Sequence, residues 1–181
     1  MQKVLVPLAS GFEEIEAVTI IDLLRRADID VVTACLDRRR VIGAHGIKIL
    51  ADTHIDDIDY REFAMIVLPG GIPGATNLRD NQTVQDLLGK FDKDNKYIGA
   101  ICAAPIALAN AKVLKKAYTC YPSFENQIEN KGYLPDQVVV SDQNIITSRG
   151  PSTAIAFSLD LISKVCGEDV AQNIKTQLLL V

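Results

Sequence analysis

The stretch Tyr97-Ile98-Gly99-Ala100-Ile101-Cys102-Ala103-Ala104-Pro105 sets the expectation for the whole chain. An apolar run of strand character stops at a cysteine, and an alanine-rich helical pattern begins at once. A nucleophile at such a strand-to-helix corner has its side chain pushed out at the carboxyl edge of the sheet, the geometry of a nucleophile elbow. So tight a corner needs small residues two positions to either side, here Ala100 and Ala104. Backbone N–H groups at the start of the new helix lie beside the sulfur and favour thiolate. Cys102 is the first candidate for chemistry; the competing reading is a cysteine serving as a small buried hydrophobe.

Working outward, Phe63 to Leu68 is a second buried-strand pattern, and it ends in Pro69-Gly70-Gly71-Ile72-Pro73-Gly74. Glycines directly after a parallel strand let the backbone approach a ligand at the same sheet edge. The stretch lacks the lysine and hydroxyl residue of a P-loop and does not match GxGxxG, so a phosphate cradle is the weaker reading. An oxyanion-binding N–H from Gly71, paired with that of Ala103, fits better.

Lys3 to Leu8 is a third strand pattern. Ser10 and Glu13 stand at capping-box spacing and predict a helix that runs to about Ala27. Phe12, Ile15, Val18, Ile21 and Leu24 recur at helical spacing, and Ile20 and Leu23 broaden the stripe. So wide an apolar surface predicts packing against a second surface besides the sheet. Glu13, Glu14 and Glu16 suit the first turn of a helix, and the helix dipole alone explains all three. Glu14 lines up with Val18 and Ile21, and Glu16 with Ile20 and Leu23. Periodicity leaves open which of the two projects into apolar surroundings, where its pKa would rise.

Further strands are predicted at Ile29 to Cys35 and at Ala117 to Pro122. Hairpins are predicted around Gly43 to Gly46 and between Val138-Val139-Val140 and Ile145-Ile146-Thr147. Helices are predicted at Gln82 to Lys90, from Cys102 to about Ala111, over Ser123 to Glu129, from Pro151 to Gly167 with an apolar face of Ile155, Leu159 and Ile162, and from Glu168 to Leu180. Strands alternating with helices give an α/β class, a three-layer α/β/α sandwich with a mostly parallel sheet.

At 181 residues the chain suits one domain spanning 1–181. A net charge of -4 argues against nucleic-acid or anionic-membrane partners, and Arg38-Arg39-Arg40 reads as a solvated turn. Asp56, Asp57 and Asp59 lack the glycine and terminal glutamate of a calcium loop and read as a solvated connector. Cys35, Cys102, Cys120 and Cys166 form no CxxC pair, which suggests reduced thiols in a cytoplasmic protein. His45 and His54 lack metal-ligand spacing, so no metal is expected, and no apolar stretch reaches membrane-spanning length.

Four segments occur in order: Gly11-Phe12-Glu13-Glu14-Ile15-Glu16-Ala17, Leu68-Pro69-Gly70-Gly71, Ala100-Ile101-Cys102-Ala103-Ala104-Pro105 and Thr147-Ser148-Arg149-Gly150-Pro151. Together they resemble the ThiJ/PfpI superfamily, in the branch of the Parkinsonism-associated protein deglycase and its bacterial relatives. The resemblance implies a flavodoxin-like fold of the class I glutamine amidotransferase kind, and a homodimer. It implies a nucleophilic, oxidation-sensitive cysteine at Cys102, a carboxyl partner at Glu16, and backbone donors at Gly71 and Ala103. Gly70, Tyr121, Arg149 and Pro151 are then expected to line the site. The activities it implies need no cofactor: conversion of methylglyoxal to lactate, and removal of early glycation adducts from proteins and nucleotides. Redox-linked chaperone behaviour, without committed turnover, is the alternative. The expected partners are small reactive carbonyls or glycated proteins. Two departures from relatives matter: Tyr121 stands where some have histidine before the proline, and Ala103 where protease-like members have histidine after the nucleophile. A Cys–His dyad is therefore not expected, and the chemistry should lean on glutamate.

Overall fold

The computed structural model describes residues 2–180. Its central sheet has seven strands in the order β5-β2-β1-β6-β7-β9-β8. These are β1 (Lys3–Leu8), β2 (Asp30–Cys35), β5 (Thr53–His54), β6 (Met65–Leu68), β7 (Tyr97–Ile101), β8 (Val139–Asp142) and β9 (Ile145–Ser148). Every pairing is parallel except β8 with β9, which form an antiparallel hairpin at one edge. A separate hairpin pairs β3 (Arg40–Ile42) with β4 (Lys48–Leu50).

Buried strands need cover on both faces, and alternate side chains divide two cores between two helical layers. Val4, Val6, Met65 and Val67 meet α1 (Glu14–Arg26), α5 (Ala154–Cys166) and α6 (Glu168–Gln177). Leu5, Ile66, Leu68 and Ile98 meet α3 (Gln82–Lys93) and α4 (Pro105–Asn110), with Leu78 from the short α2 (Gly74–Asp80). This is the flavodoxin-like three-layer sandwich. The chain leaves β1 for β2 on one side and later returns to place β6 on the other, so the strand order reverses between β1 and β6. Ligand sites of such folds lie at the carboxyl ends of the strands beside that switch point.

Several local expectations need correcting. The Ser10–Glu13 capping box does not form: α1 begins at Glu14, with Glu13 as an extended N-cap that makes no side-chain bond. Acidic Glu14 and Glu16 at its start and Arg25 and Arg26 at its end suit the helix dipole instead. The buried face of α1 is Ala17, Ile20, Leu23 and Leu24, while Ile15 and Val18 are exposed. In α5 the buried face is Phe157, Leu161 and Ile162, and Ile155 is exposed. Residues 117–122 do not join the sheet, because β9 already pairs with β7; Tyr118 makes only an isolated bridge to Tyr133. The helix α2 had no periodic apolar signal, since Gly74-Ala75-Thr76-Asn77 is polar and small.

Candidate active site

The end of β7 turns sharply at Cys102, whose φ of 63° lies in the left-handed region that β-carbon-bearing residues avoid. Such a conformation costs about 1–3 kcal/mol and needs outside support. Two bonds from distant segments supply it: Cys102 N–H donates to Ser148 O at 3.0 Å, and Tyr121 N–H donates to Cys102 O at 2.8 Å. The sulfur is thereby held at the carboxyl edge, and the residue is 8% exposed.

Gly70 and Gly71 follow β6 into the same corner. A β-carbon at Gly70 would lie 2.6 Å from Cys102 Cβ and 2.8 Å from Glu16 Oε2, so only glycine lets the turn pass between the two side chains. Gly71 has a φ of 86°, and a β-carbon there would strike the backbone of Gly11 and Glu13. The N–H groups of Gly71 and Ala103 lie near enough to the Cys102 sulfur to lower its pKa.

Glu16 is fully buried, and its Oε2 accepts from Gly70 N–H at 2.8 Å. Its Oε1 has no partner of good hydrogen-bond geometry, but the carboxyl and the Cys102 thiol are close enough to perturb each other. Burial raises the Glu16 pKa to about 7, against the opposing effect of Gly70 N–H. The Cys102 thiol is also pushed up, first by burial and then by the Glu16 charge, while the N–H groups of Gly71 and Ala103 pull it down. The helix terminus alone therefore does not produce a free thiolate. A buried pair of this kind resists two negative charges and shares one proton between sulfur and carboxyl.

The choice that periodicity left open has a double answer, because Glu14 is buried too. It faces away from the sulfur, under the β3–β4 hairpin. Its Oε1 accepts from the N–H groups of His45 at 2.7 Å and Ile47 at 3.3 Å, and its Oε2 meets His45 Nδ1 at 2.8 Å. Burial alone would raise the Glu14 pKa, but these bonds hold it below the usual carboxylate value. Sequence reasoning missed this arrangement; its one signal was the Gly43 to Gly46 turn, which brings His45 over the helix. His45 thus partners Glu14, with Glu13 at 3.8 Å, and not Cys102. Glu13, Glu14 and His45 are the one cluster of metal-ligand types among the described residues, and both Glu14 oxygens are already engaged by donors. No helix among the described residues is long and apolar enough to cross a membrane.

Tyr121, Arg149, Gly150 and Pro151 line a cleft of about 260 Å³ beside the elbow. A larger cleft of about 720 Å³, lined by Leu8, Arg38, Arg40 and Ile42, contains none of the site residues. Burial raises the pKa of Cys35 and Cys166 and pushes that of Cys120 up to about 12, as it raises that of Cys102, so what sets Cys102 apart is its place at the strand-to-helix corner beside Glu16 and not its thiol pKa.

Residues 2–164 match the DJ-1/PfpI family. This chain belongs to the DJ-1/PfpI family. Protein DJ-1 homolog B of Arabidopsis thaliana is 37% identical over 99% of the chain, but the chain spans only 42% of that protein's length. The glutathione-independent glyoxalase DJR-1.2 of Caenorhabditis elegans is 33% identical over 93% of this chain and 90% of its own. Among solved DJ-1 structures, Drosophila melanogaster DJ-1beta superposes with a TM-score of 0.96 at 38% identity, covering 99% of this chain and 98% of its own. Toxoplasma gondii DJ-1, solved in an oxidized form, gives 0.94 at 38% identity with the same coverage. The DJ-1/PfpI relationship accords with the mostly parallel sheet flanked by helices.

Proposed function

We propose that Cys102 is the nucleophile of a cofactor-independent glyoxalase- or deglycase-like enzyme acting on methylglyoxal-type dicarbonyls or early glycation adducts. The observation that supports this reading is the placement of buried Cys102 and Glu16 on either side of the Gly70 turn, where the N–H groups of Gly71 and Ala103 lower the thiol pKa. The glyoxalase name of the Caenorhabditis elegans relative supports the same class.

In the reactive tautomer the proton sits on Glu16 and the charge on sulfur. The thiolate attacks the aldehyde carbon of methylglyoxal, and the N–H groups of Gly71 and Ala103 stabilise the oxyanion as it forms. Glu16 gives its proton to that oxygen, leaving a hemithioacetal and a carboxylate. The carboxylate then removes the hydrogen of the former aldehyde carbon and returns it to the adjacent carbon through an enediol. The hydroxyl proton of the first carbon passes to the oxygen of the second, so a lactoyl thioester results. Water attacks the thioester carbonyl, the sulfur leaves, and lactate is released.

The test is methylglyoxal turnover in the wild type and in Cys102→Ser. Lactate formation is expected to fall to background in the variant, and unchanged turnover would refute the enzymatic reading. A second reading, oxidation of Cys102 as a stress signal or chaperone switch, is favoured by the oxidized state in which the Toxoplasma gondii relative was solved. Peroxide treatment followed by intact mass and an aggregation assay decides it; an oxidised form inert in both counts against it. A homodimer through α1 completes the proposal, because Ile15 and Val18 are 59% and 47% exposed on one helix.

A further inference from the structure

Four buried side-chain polar atoms among the described residues lack a hydrogen-bond partner: Glu16 Oε1, Thr119 Oγ1, Glu125 Oε2 and Arg149 Nε. They fall on Glu16, which perturbs the Cys102 thiol, and on the two segments that bond the Cys102 backbone. Glu16 and the Cys102 thiol perturb each other across the Gly70 turn. Thr119 and Glu125 lie in the segment whose Tyr121 N–H bonds Cys102 O, and Arg149 follows Ser148, whose carbonyl takes Cys102 N–H. The two segments are also joined to each other by Thr119 N–H donating to Thr147 Oγ1 at 2.9 Å. Each orphaned buried group costs about 1–3 kcal/mol, so their concentration at one place needs a cause.

Arg149 makes the sharpest case. It has no ion pair within 4 Å among the described residues, and its buried Nε faces no acceptor. It lines the cleft of about 260 Å³ that Tyr121 also lines. A β-carbon at Gly150 would sit 3.2 Å from the Tyr121 ring, so the glycine keeps that ring close. Each of the two segments is anchored to the backbone of the nucleophile, one through its N–H and the other through its carbonyl. A guanidinium with a free Nε edge matches an oxyanion that binds two N–H groups at once.

We propose that Arg149 and this cleft form a subsite for an anionic group, a carboxylate or a phosphate, carried by the compound that Cys102 attacks. The proposal rests on Cys102 as the reacting group and narrows the substrate from neutral dicarbonyls to those bearing such a group. Glu125 is the rival partner: it and Arg149 act on the same Tyr133 phenol with opposite signs, and its Oε2 is also unfilled.

The experiment follows the ¹H–¹⁵Nε resonance of Arg149, assigned by its absence in Arg149→Lys, while inorganic phosphate or lactate is added to the wild-type protein. The resonance should shift and saturate, the tighter anion naming the group recognised. In Arg149→Met, calorimetry should show that anion's Kd raised by at least about tenfold. The proposal is overturned if the resonance does not move at tens of millimolar of either anion, or if the Kd is unchanged in Arg149→Met. It is equally overturned if the resonance responds to Glu125→Gln but to neither anion. Should Arg149→Met fail to fold, the wild-type resonance still decides. Neither readout needs turnover, so loss of the enzymatic reading with Arg149-dependent binding intact is a separate result.

Discussion

Gly70 N–H donates to Glu16 Oε2 at 2.8 Å, tying the first helix to the glycine turn beside Cys102. The bond fixes one carboxyl oxygen and leaves the other buried without a hydrogen-bond partner. Glu16 is thus held as a partner for Cys102 by a residue that itself has no side chain.

Replacing Glu16 by Gln keeps an acceptor for Gly70 and removes the proton carrier. Turnover should drop by about 10²–10⁴-fold, the usual contribution of general acid–base catalysis. Because the Glu16 charge pushes the thiol pKa up, the pH midpoint for iodoacetamide alkylation of Cys102 should move lower in the variant. A loss under tenfold with an unmoved midpoint would make Glu16 structural only.

The same carboxyl sets a pH dependence of stability. Its pKa rises from 4.5 to about 7 on folding, so between those values the folded state keeps a proton that the unfolded state has lost. Stability contributed by that proton is therefore present at pH 4.5 and declines as pH rises through about 7, by at most ~3 kcal/mol. Urea unfolding of wild type and Glu16→Gln across this range should show the variant gaining relative stability as pH rises.

Gly70→Ala puts a methyl group against Cys102 Cβ, Glu16 Oε2 and the Ile101 carbonyl, all within 2.9 Å. Overpacking of this kind costs about 1–3 kcal/mol. The expected result is a lower urea midpoint together with loss of turnover, since any relief separates sulfur from carboxyl.

His45→Gln tests the hairpin's attachment to α1. The Glu14 pKa is below its ordinary 4.5 and the His45 pKa above its ordinary 6.5. The glutamate's contribution disappears as pH falls below 4.5, and the histidine's as pH rises through its raised value. The difference in urea midpoint between wild type and variant should be widest near about pH 5–6 and close at alkaline pH.

The elbow and the glycine turn were legible in sequence because each is a local event, with small residues at fixed offsets from Cys102 and after a strand. The sheet class followed from apolar runs of strand length. What was hidden depends on contacts between remote segments. Ile15 and Val18 continue the apolar stripe of α1, yet the helix buries Ile20 and Leu23, because α5 covers that side. Glu14 and Glu16 looked alike until the β3–β4 hairpin claimed one and Gly70 the other. Segment 117–122 has strand composition, but the edge it would join is taken by β9. Arg149 is a plain motif residue in sequence, and only the fold shows its Nε buried without an acceptor.

The left-handed turn at Cys102 also bears on the timing of synthesis. Both of its backbone supports, Tyr121 and Ser148, emerge from the ribosome after the cysteine, the second some 46 positions later. A nascent chain halted before residue 121 contains the cysteine, the glycine turn and Glu16, yet nothing to hold the corner in its strained conformation. The thiol therefore stays in a relaxed, uncommitted geometry until the last third of the protein arrives, which spares an incomplete chain from carrying an assembled reactive site.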